Sequence, residues 1–353
     1  MRVTVTGATG LVGPALIARL RARGAQVTVL SRDPERAAAK LADTAPAQQP
    51  GASAPTGAPA SPTPTSAPAS PTPTPTSAPA SPAPEPLQAL RWNPLAEAVP
   101  VEALTGREGV VHLAGEPIAQ RWSAQAKRAI RESRVQGTRN LIEGLRALDS
   151  AAEGAPAGPR PRVLVSGSAV GYYGPHGEEP LDEEAAAGRD FLAQVCTAWE
   201  AEAQSAAELG MRVVQVRTGV VLDAHGGALA KMLPPFRLGI GGPVAGGRQF
   251  LSWIHRDDLV EMIVDALYSD QWQGPINATA PTPVSNGEFS KALGRALNRP
   301  AFLPVPGFAL RALYGEMAEI VTSGARVLPA KPLMFGYRFR HPDLEEALRS
   351  ALG

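Results

Sequence analysis

Three glycines stand where they could hold a phosphate. The stretch Thr6-Gly7-Ala8-Thr9-Gly10-Leu11-Val12-Gly13 follows directly on the β-branched run Arg2–Thr6. Gly7 permits a tight turn, Gly10 lets backbone approach a pyrophosphate, and Gly13 lets a helix pack closely on a sheet. A helix opening near Gly10 would offer unpaired N–H groups and its dipole to negative charge. The spacing predicts a dinucleotide site made of Gly7, Thr9, Gly10, Leu11, Val12 and Gly13. The next apolar run ends Leu30-Ser31-Arg32, where an Asp or Glu would hold ribose hydroxyls. Arg32 can fork onto a 2′-phosphate and Ser31 can donate to it. This reading expects NADP(H), with NAD(H) second.

Groups able to move a proton are few. Tyr172 and Tyr173 follow the serine-rich run Ser166-Gly167-Ser168, and either could face a pocket there, although tyrosine is as often a packing residue. His255 lies in Ser252-Trp253-Ile254-His255-Arg256-Asp257-Asp258, a loop that opens a helix. Its imidazole suits acid–base work near neutral pH or a purely structural hydrogen bond. Glu116 is a carboxylate just past a strand end, and Arg121, Trp122 and Arg134 could wall an anionic or aromatic substrate. One cysteine, Cys196, and five histidines leave little for a metal centre, and none is expected. Nothing in the sequence activates Cys196, which reads as buried.

The elements that must position these residues alternate. Strand patterns cover Arg2–Thr6, Ala25–Ser31, Gly109–Leu113, Arg162–Ser166 and Met211–Val216. Helical spacing runs through Pro14–Arg23, Asp33–Ala42, Ala124–Leu148 and Arg189–Leu209. Continuous apolar strands between such helices imply an α/β fold, a doubly wound, mostly parallel Rossmann-like sheet with both faces covered. Beyond Leu222 the rhythm breaks into Gly/Pro-punctuated segments with short helices over Asp258–Tyr268, Asn286–Leu297, Phe308–Thr322 and Asp343–Leu352. The expected organisation is a dinucleotide-binding domain over 1–222 and a smaller α/β substrate lobe over 223–353, parts of which return to the core. The first domain is interrupted at 44–86, which holds 14 of the chain's 36 prolines and repeats PTPTSAPAS from Pro62 and from Pro73. Such composition offers no apolar area to offset ordering, and it reads as a disordered insertion.

A longer set of blocks resembles one family. Val111-His112-Leu113-Ala114-Gly115-Glu116-Pro117-Ile118, Arg121-Trp122, Glu132-Ser133-Arg134, Ser166 to Gly174, Asp190-Phe191-Leu192 with Trp199-Glu200, Arg217 to Leu222, Ser252 to His255, Asn277 to Pro281 and Phe335 to Phe339 occur in order. Together they resemble the extended or atypical short-chain dehydrogenase/reductases, and more closely the NAD(P)-binding "epimerase family protein" group with its own C-terminal region. The resemblance implies that His112, Leu113, Ala114 and Gly115 line the cofactor, with Ser166 and Arg217 also on the cofactor side. It implies that Ser168 polarises the reacting hydroxyl or carbonyl, and it puts Trp253 with Glu116, Arg121, Trp122 and Arg134 toward the substrate. Members of the broad superfamily also carry a tyrosine and a lysine four apart on the following helix. With the register set by Glu200, those positions fall on Leu192 and Cys196, and no Tyr-x-x-x-Lys occurs anywhere in the chain.

Charge and hydropathy narrow the partners. Lys+Arg is 34 against 33 Asp+Glu, so no long-range positive field steers nucleic acid, and none is expected as partner. No apolar run approaches ~20 residues, so a membrane span is not expected either, and the expected setting is cytoplasmic. The expected activity is NADP(H)-dependent oxidoreductase or epimerase-like chemistry on a small carbonyl or hydroxyl compound, nucleotide-sugar-like in type, by a monomer or homodimer. The alternative is a catalytically silent NADP(H)-binding regulatory or scaffold protein.

Overall fold

The computed structural model describes residues 1–42, 87–151 and 160–353; the proline-rich insertion assigned to 44–86 lies outside the described residues. Strands β1 (Arg2–Thr6), β2 (Gln26–Ser31), β3 (Gln88–Arg91), β4 (Gly109–His112) and β5 (Val163–Ala169) are followed by the short β6 (Pro180–Leu181), then β7 (Arg212–Thr218) and β8 (Val220–Leu222). Further on come β9 (Phe250–Leu251), β10 (Trp253–His255) and β11 (Gly274–Ala278). Seven of them form one sheet in the order β11-β7-β5-β4-β1-β2-β3, every pair parallel. The order reverses between β1 and β4, and ligands pass at such a switch point, outside the carboxyl ends of the strands. Two edge strands were not anticipated. β3 is too short to show alternation, and β11 comes from beyond Leu222.

The helices on the faces are α1 (Gly13–Ala22), α2 (Pro34–Ala42), the one-turn α3 (Val101–Leu104), α4 (Ala124–Ala151), α5 (Phe191–Gln204), α6 (Gly227–Arg237), α7 (Arg256–Tyr268) and α8 (Asn286–Ala296). Period-two alternation sends Val163 and Val165 of β5 into one core, with Leu16, Ile17 and Leu20 of α1 and Leu259 and Ile263 of α7. Leu164, between them, enters the other core with Leu141, Ile142 and Leu145 of α4. Burial on both faces is why these strands read as unbroken apolar runs. A third core belongs to the C-terminal part: Leu229, Leu233 and Phe236 of α6 pack with Phe289 and Leu293 of α8, and with Leu344 and Leu348.

Local chemistry sets the ends of these elements. The first helix begins at Gly13 rather than near Gly10, because Gly7 to Val12 form turns closed by Gly10 N–H donating to Gly7 O at 2.9 Å. Asp190 caps α5 by accepting from Leu192 and Ala193, and Ser285 with Glu288 forms a reciprocal capping box on α8. The helical pattern over Phe308–Thr322 is broken into Gly307–Tyr314 and Ala318–Thr322 by Gly315, whose φ is +63°. Among the described residues no helix is long and apolar enough to cross a membrane.

Candidate functional site

The glycine turn is shaped for a diphosphate. Gly7 has φ +71°, and a Cβ there would lie 2.5 Å from the Leu113 carbonyl carbon. At Gly13 a Cβ would come within 2.1 Å of Ala8 O, so only glycine lets α1 approach the turn. At Gly10, which is exposed, the nearest atom is Gly7 O at 3.1 Å, so the open side of the turn is free for a ligand. These cradles fit the pyrophosphate of a dinucleotide, which the backbone of Thr9 to Val12 would hold at the start of α1. Lys40 Nζ donates to Thr9 O at 2.7 Å and braces the turn from α2. Leu11 reaches the C-terminal part, lying against Gly226 and Gly227.

Behind the turn, His112 has a fixed tautomer. Thr138 gives its own proton to Arg134 O at 2.6 Å, so at 3.1 Å it can only accept from His112 Nε2. Nδ1 then accepts from the Thr6 hydroxyl at 2.7 Å, and Thr6 Oγ1 in turn accepts from Ala114 N at 3.3 Å. Complete burial holds the imidazole down to about 4, hence neutral. His112 is therefore a brace beneath the strand ends, not an exposed edge for the adenosine as expected. Ser166 is likewise fully buried, its hydroxyl directed to Gly167 O.

At the ends of β5 and β7 a second network forms. Ser168 pairs in register with Arg217. Ser168 Oγ donates to Glu200 Oε1 at 2.6 Å, and Arg217 grips both oxygens of the same carboxylate at 2.9 Å each. Arg217 Nη1 donates to Tyr173 Oη at 3.0 Å and to Glu183 O at 3.1 Å. The Tyr173 hydroxyl donates to Asn277 Oδ1 at 2.7 Å, Asn277 Nδ2 donates to Leu328 O, and Asn277 N donates to Glu183 Oε1. Burial disfavours the Arg217 charge, but the bonds to Glu200 outweigh it and raise the group. Burial pushes Tyr173 up to about 12.

Several expectations are corrected by this network. Arg217 is 3% exposed with its guanidinium engaged on three partners, so it is not a cofactor ligand. Tyr173 is fully buried with its hydroxyl both donating and accepting, so it is not the proton donor. Tyr172 differs: it is half-buried, its ring lies 3.5 Å over the Arg217 guanidinium, and its hydroxyl has no partner among the described residues. Glu200, Asn277 and Glu183 were missed as site residues. A buried acid–arginine pair leaves no local motif, although Glu200 already marked the helix register.

The remaining candidates divide. Glu116 N donates to Ser133 Oγ at 2.9 Å, and Glu116 stands half-buried on the loop after β4. Trp122 meets Phe191, at the start of α5, edge-on at 5.1 Å, with Lys127 Nζ over both rings. Arg121, the neighbour of Trp122 in sequence, is exposed. Arg134 does not face outward: it is 9% exposed, stacked over Trp199, and donates to Glu116 O and Ile130 O from beneath Gly115. Trp253 is fully buried in the third core, with its indole N–H donated to Thr282 O, so it lines no pocket.

His255 caps α7, its Nδ1 accepting from Asp257 N at 3.1 Å, and stacks on His341 with ring centroids 3.8 Å apart. Burial, then His341, holds it down to about 4, which suits neither acid nor base work at neutral pH. His255, Asp257 and His341 offer ligand atoms within 4.8 Å of one another. The cap, however, fixes the lone pair on Nδ1 and the proton on Nε2, so the buried, unpartnered Nε2 carries hydrogen and cannot ligate.

Residues 3–277 match the NAD dependent epimerase/dehydratase family, and residues 305–351 match a domain of unknown function. The chain is 38% identical over 353 residues to "Epimerase family protein SDR39U1 homolog, chloroplastic" of Arabidopsis thaliana, covering 100% of this chain and 87% of that protein. It is 34% identical over 358 residues to epimerase family protein SDR39U1 of Bos taurus, covering 100% of both. Among solved structures, human epimerase family protein SDR39U1 (isoform 2) with NADPH aligns at TM-score 0.73 and 32% identity over 100% of both chains. A nucleoside-diphosphate sugar epimerase from Corynebacterium glutamicum aligns at 0.67 and 31%, covering 100% of this chain and 58% of that one. Thermus thermophilus UDP-glucose 4-epimerase in complex with NAD aligns at 0.65 and 18%, over 99% and 98%, a likeness of fold.

The ordering of NADP(H) ahead of NAD(H) is corrected here. NAD is the cofactor named for the Thermus enzyme and for three further fold neighbours, against NADPH for the human protein. The geometry agrees: the Ser31 hydroxyl donates to Asp33 O at 3.0 Å and accepts from Asp33 N, so its proton is not on offer to a 2′-phosphate. The ordering is withdrawn, and neither dinucleotide is put first for this chain. Fold, glycine turn and sequence relatives agree, and this chain belongs to the NAD dependent epimerase/dehydratase family, in its SDR39U1-like group.

Proposed function

We propose that this chain is an enzyme that uses a nicotinamide dinucleotide to oxidise or reduce a hydroxyl or carbonyl carbon of a small, sugar-like substrate. One observation carries the reading. Thr6, His112 and Ser166 stand on one rung across β1, β4 and β5, so the glycine turn after Thr6 and the Ser168–Tyr172 segment open on the same edge of the sheet. Ser168 stands two residues beyond that rung, about 6–7 Å further along the strand. The nicotinamide group, when bound, supplies hydride exchange. Gly7 to Gly13 hold the pyrophosphate, and Ser168 accepts from a substrate hydroxyl while its own proton is on Glu200, donating to a carbonyl oxygen only when it turns away from that carboxylate. Tyr172, with its unengaged hydroxyl, is the proton donor and acceptor that takes over from the absent Tyr-x-x-x-Lys pair. Glu116, Arg121 and Trp122 form the substrate rim, and a nucleoside-diphosphate sugar is the substrate class suggested by the Corynebacterium relative's description.

The test is turnover of NADH and NADPH against a panel of nucleoside-diphosphate sugars and their keto forms. Tyr172→Phe is expected to lower kcat by about 10²–10⁴-fold with cofactor affinity retained. Cofactor binding without turnover of any of them would overturn the reading, and unchanged kcat in Tyr172→Phe would remove Tyr172 from it.

A further inference from the structure

At the C-terminal end of α1, the end away from the glycine turn, lies a cleft of about 480 Å³ that the proposed reaction does not use. Arg19 and Arg23 are on its wall, six and ten residues along from Gly13, hence roughly 9–15 Å from the turn. The segment 335–340 also lines it, contributing Phe335, Tyr337, Arg338 and Arg340. Its charge is unbalanced. Glu261 of α7, 10% exposed, is shared by three arginines: Arg19, Arg23 at 3.1 Å and Arg340 at 3.4 Å. Asp265 adds one more carboxylate, 4.0 Å from Arg23. Four guanidinium groups thus face two carboxylates, and exposed Arg338 has no partner among the described residues.

The wall that carries Arg338 is rigidly held. Buried Asp258 accepts from Tyr337 Oη at 3.0 Å, Arg340 N at 2.8 Å and His341 N at 3.0 Å. Trp272 forms the base, 5.6 Å from Phe335 and 6.0 Å from Tyr337, so an apolar aromatic floor lies under a cationic rim. Guanidinium forks on a fixed frame bind phosphate oxygens in pairs, and half-buried aromatic rings accept a flat group. The cleft is also in the size range of small-ligand sites, roughly 300–1,000 Å³.

We propose that this cleft is a second ligand site, for a nucleoside monophosphate, with the phosphate dianion on Arg338, Arg340 and Arg23 and the base against Phe335 and Tyr337. The site is separate from the dinucleotide turn and does not depend on the proposed reaction.

Calorimetric titration of the full chain with AMP, inorganic phosphate and adenosine tests it. AMP is expected to bind, phosphate to bind more weakly, and adenosine more weakly still. Arg338→Ala should weaken AMP by about 10–100-fold, the loss of a charged hydrogen bond, and Arg338→Lys should recover only part. An unchanged melting temperature in Arg338→Ala shows that folding is intact, as an exposed side chain without a partner requires. AMP also resembles half of a dinucleotide, so its binding with the same affinity in Arg338→Ala would place it in the glycine turn and overturn the proposal. Absence of binding by both AMP and phosphate at millimolar concentration would overturn it equally.

Discussion

Ser168 and Arg217, neighbours across the β5–β7 ladder, share a single carboxylate: Glu200 accepts the serine hydroxyl at 2.6 Å while both its oxygens are gripped by the guanidinium. The serine proton therefore points inward, and what Ser168 can offer a substrate oxygen is its position and, when the bond to Glu200 swings, one donor. Ser168→Ala leaves the ion pair intact but removes a hydrogen bond to a carboxylate, so stability should fall by about 1–3 kcal/mol, while kcat should fall ~10- to 1000-fold. Glu200→Gln strips the counter-charge from a guanidinium that is 3% exposed and should cost about 3–5 kcal/mol. Urea unfolding and steady-state rates on both variants check the split. Unaltered turnover in Ser168→Ala would make the serine a structural partner of Glu200 alone.

Tyr173→Phe should behave in the opposite way. Its hydroxyl serves Arg217 on one side and Asn277 on the other, in full burial. Removing it leaves two buried polar groups short of a partner, a loss of about 1–3 kcal/mol. Turnover per folded molecule should be retained, because Tyr173 faces the core and not the pocket. Thermal melting together with kcat of the folded fraction measures this, and a large fall in kcat without a fall in stability would return Tyr173 to the list of proton donors.

Much of the fold was legible because burial on both faces makes strands such as Val163 to Val165 continuous apolar runs, and because the glycines of the first turn have no substitute. Less of the site was. Tyr172 and Tyr173 are adjacent and chemically identical, and only the tertiary position of Asn277, over a hundred residues away, decides which hydroxyl is taken up. His112, Arg134, Arg217 and Trp253 look functional in one dimension because they are polar or large beside functional blocks. In the fold each is held by internal partners: Thr6 and Thr138, the Glu116 carbonyl, Glu200, and the Thr282 carbonyl. β3 and β11 escaped because an edge strand of four or five residues shows too little pattern to read.

The buried histidines set a pH dependence. His112 and His255 are both held down to about 4, against an ordinary value of 6.5, with burial the leading cause. The unfolded chain therefore binds more protons than the folded one between pH 6.5 and 4, and stability must fall as pH falls through that window. Each histidine contributes a slope of up to about 1.4 kcal/mol per pH unit. Glu183, whose carboxyl is raised by burial, works in the opposite sense and blunts the fall. Urea midpoints at pH 7.5, 6 and 5 should decrease in that order. A flat profile would mean that burial does not hold His112 and His255 neutral.

Cys196, at the position where the broad superfamily carries its lysine, should be inert. Burial pushes its thiol up to about 12, with the nearby Glu200 carboxylate adding to the effect. A thiolate is the reactive form, and almost none exists at pH 8. Alkylation by iodoacetamide at that pH should proceed only as fast as unfolding exposes the side chain, and Cys196→Ala should leave kcat unchanged. Labelling of the native protein within minutes would contradict this placement.

Two glycines of the first turn separate stability from cofactor binding. At Gly13 an added Cβ would stand 2.1 Å from Ala8 O, a backbone atom held by the turn, so the helix or the turn must shift. Gly13→Ala should therefore destabilise the protein by about 1–3 kcal/mol, the scale of overpacking, and weaken dinucleotide binding as the start of α1 moves. At Gly10 the added Cβ would meet only Gly7 O, at 3.1 Å, a contact relieved by a few tenths of an ångström. Gly10→Ala should keep the melting temperature within a few degrees yet place a methyl where the pyrophosphate must approach the backbone. Affinity for NADH and for NADPH should both drop at least tenfold, since the diphosphate is common to them. Differential scanning fluorimetry with titrations of both cofactors reads the two effects separately. Full affinity in Gly10→Ala would mean that the dinucleotide does not lie on this turn.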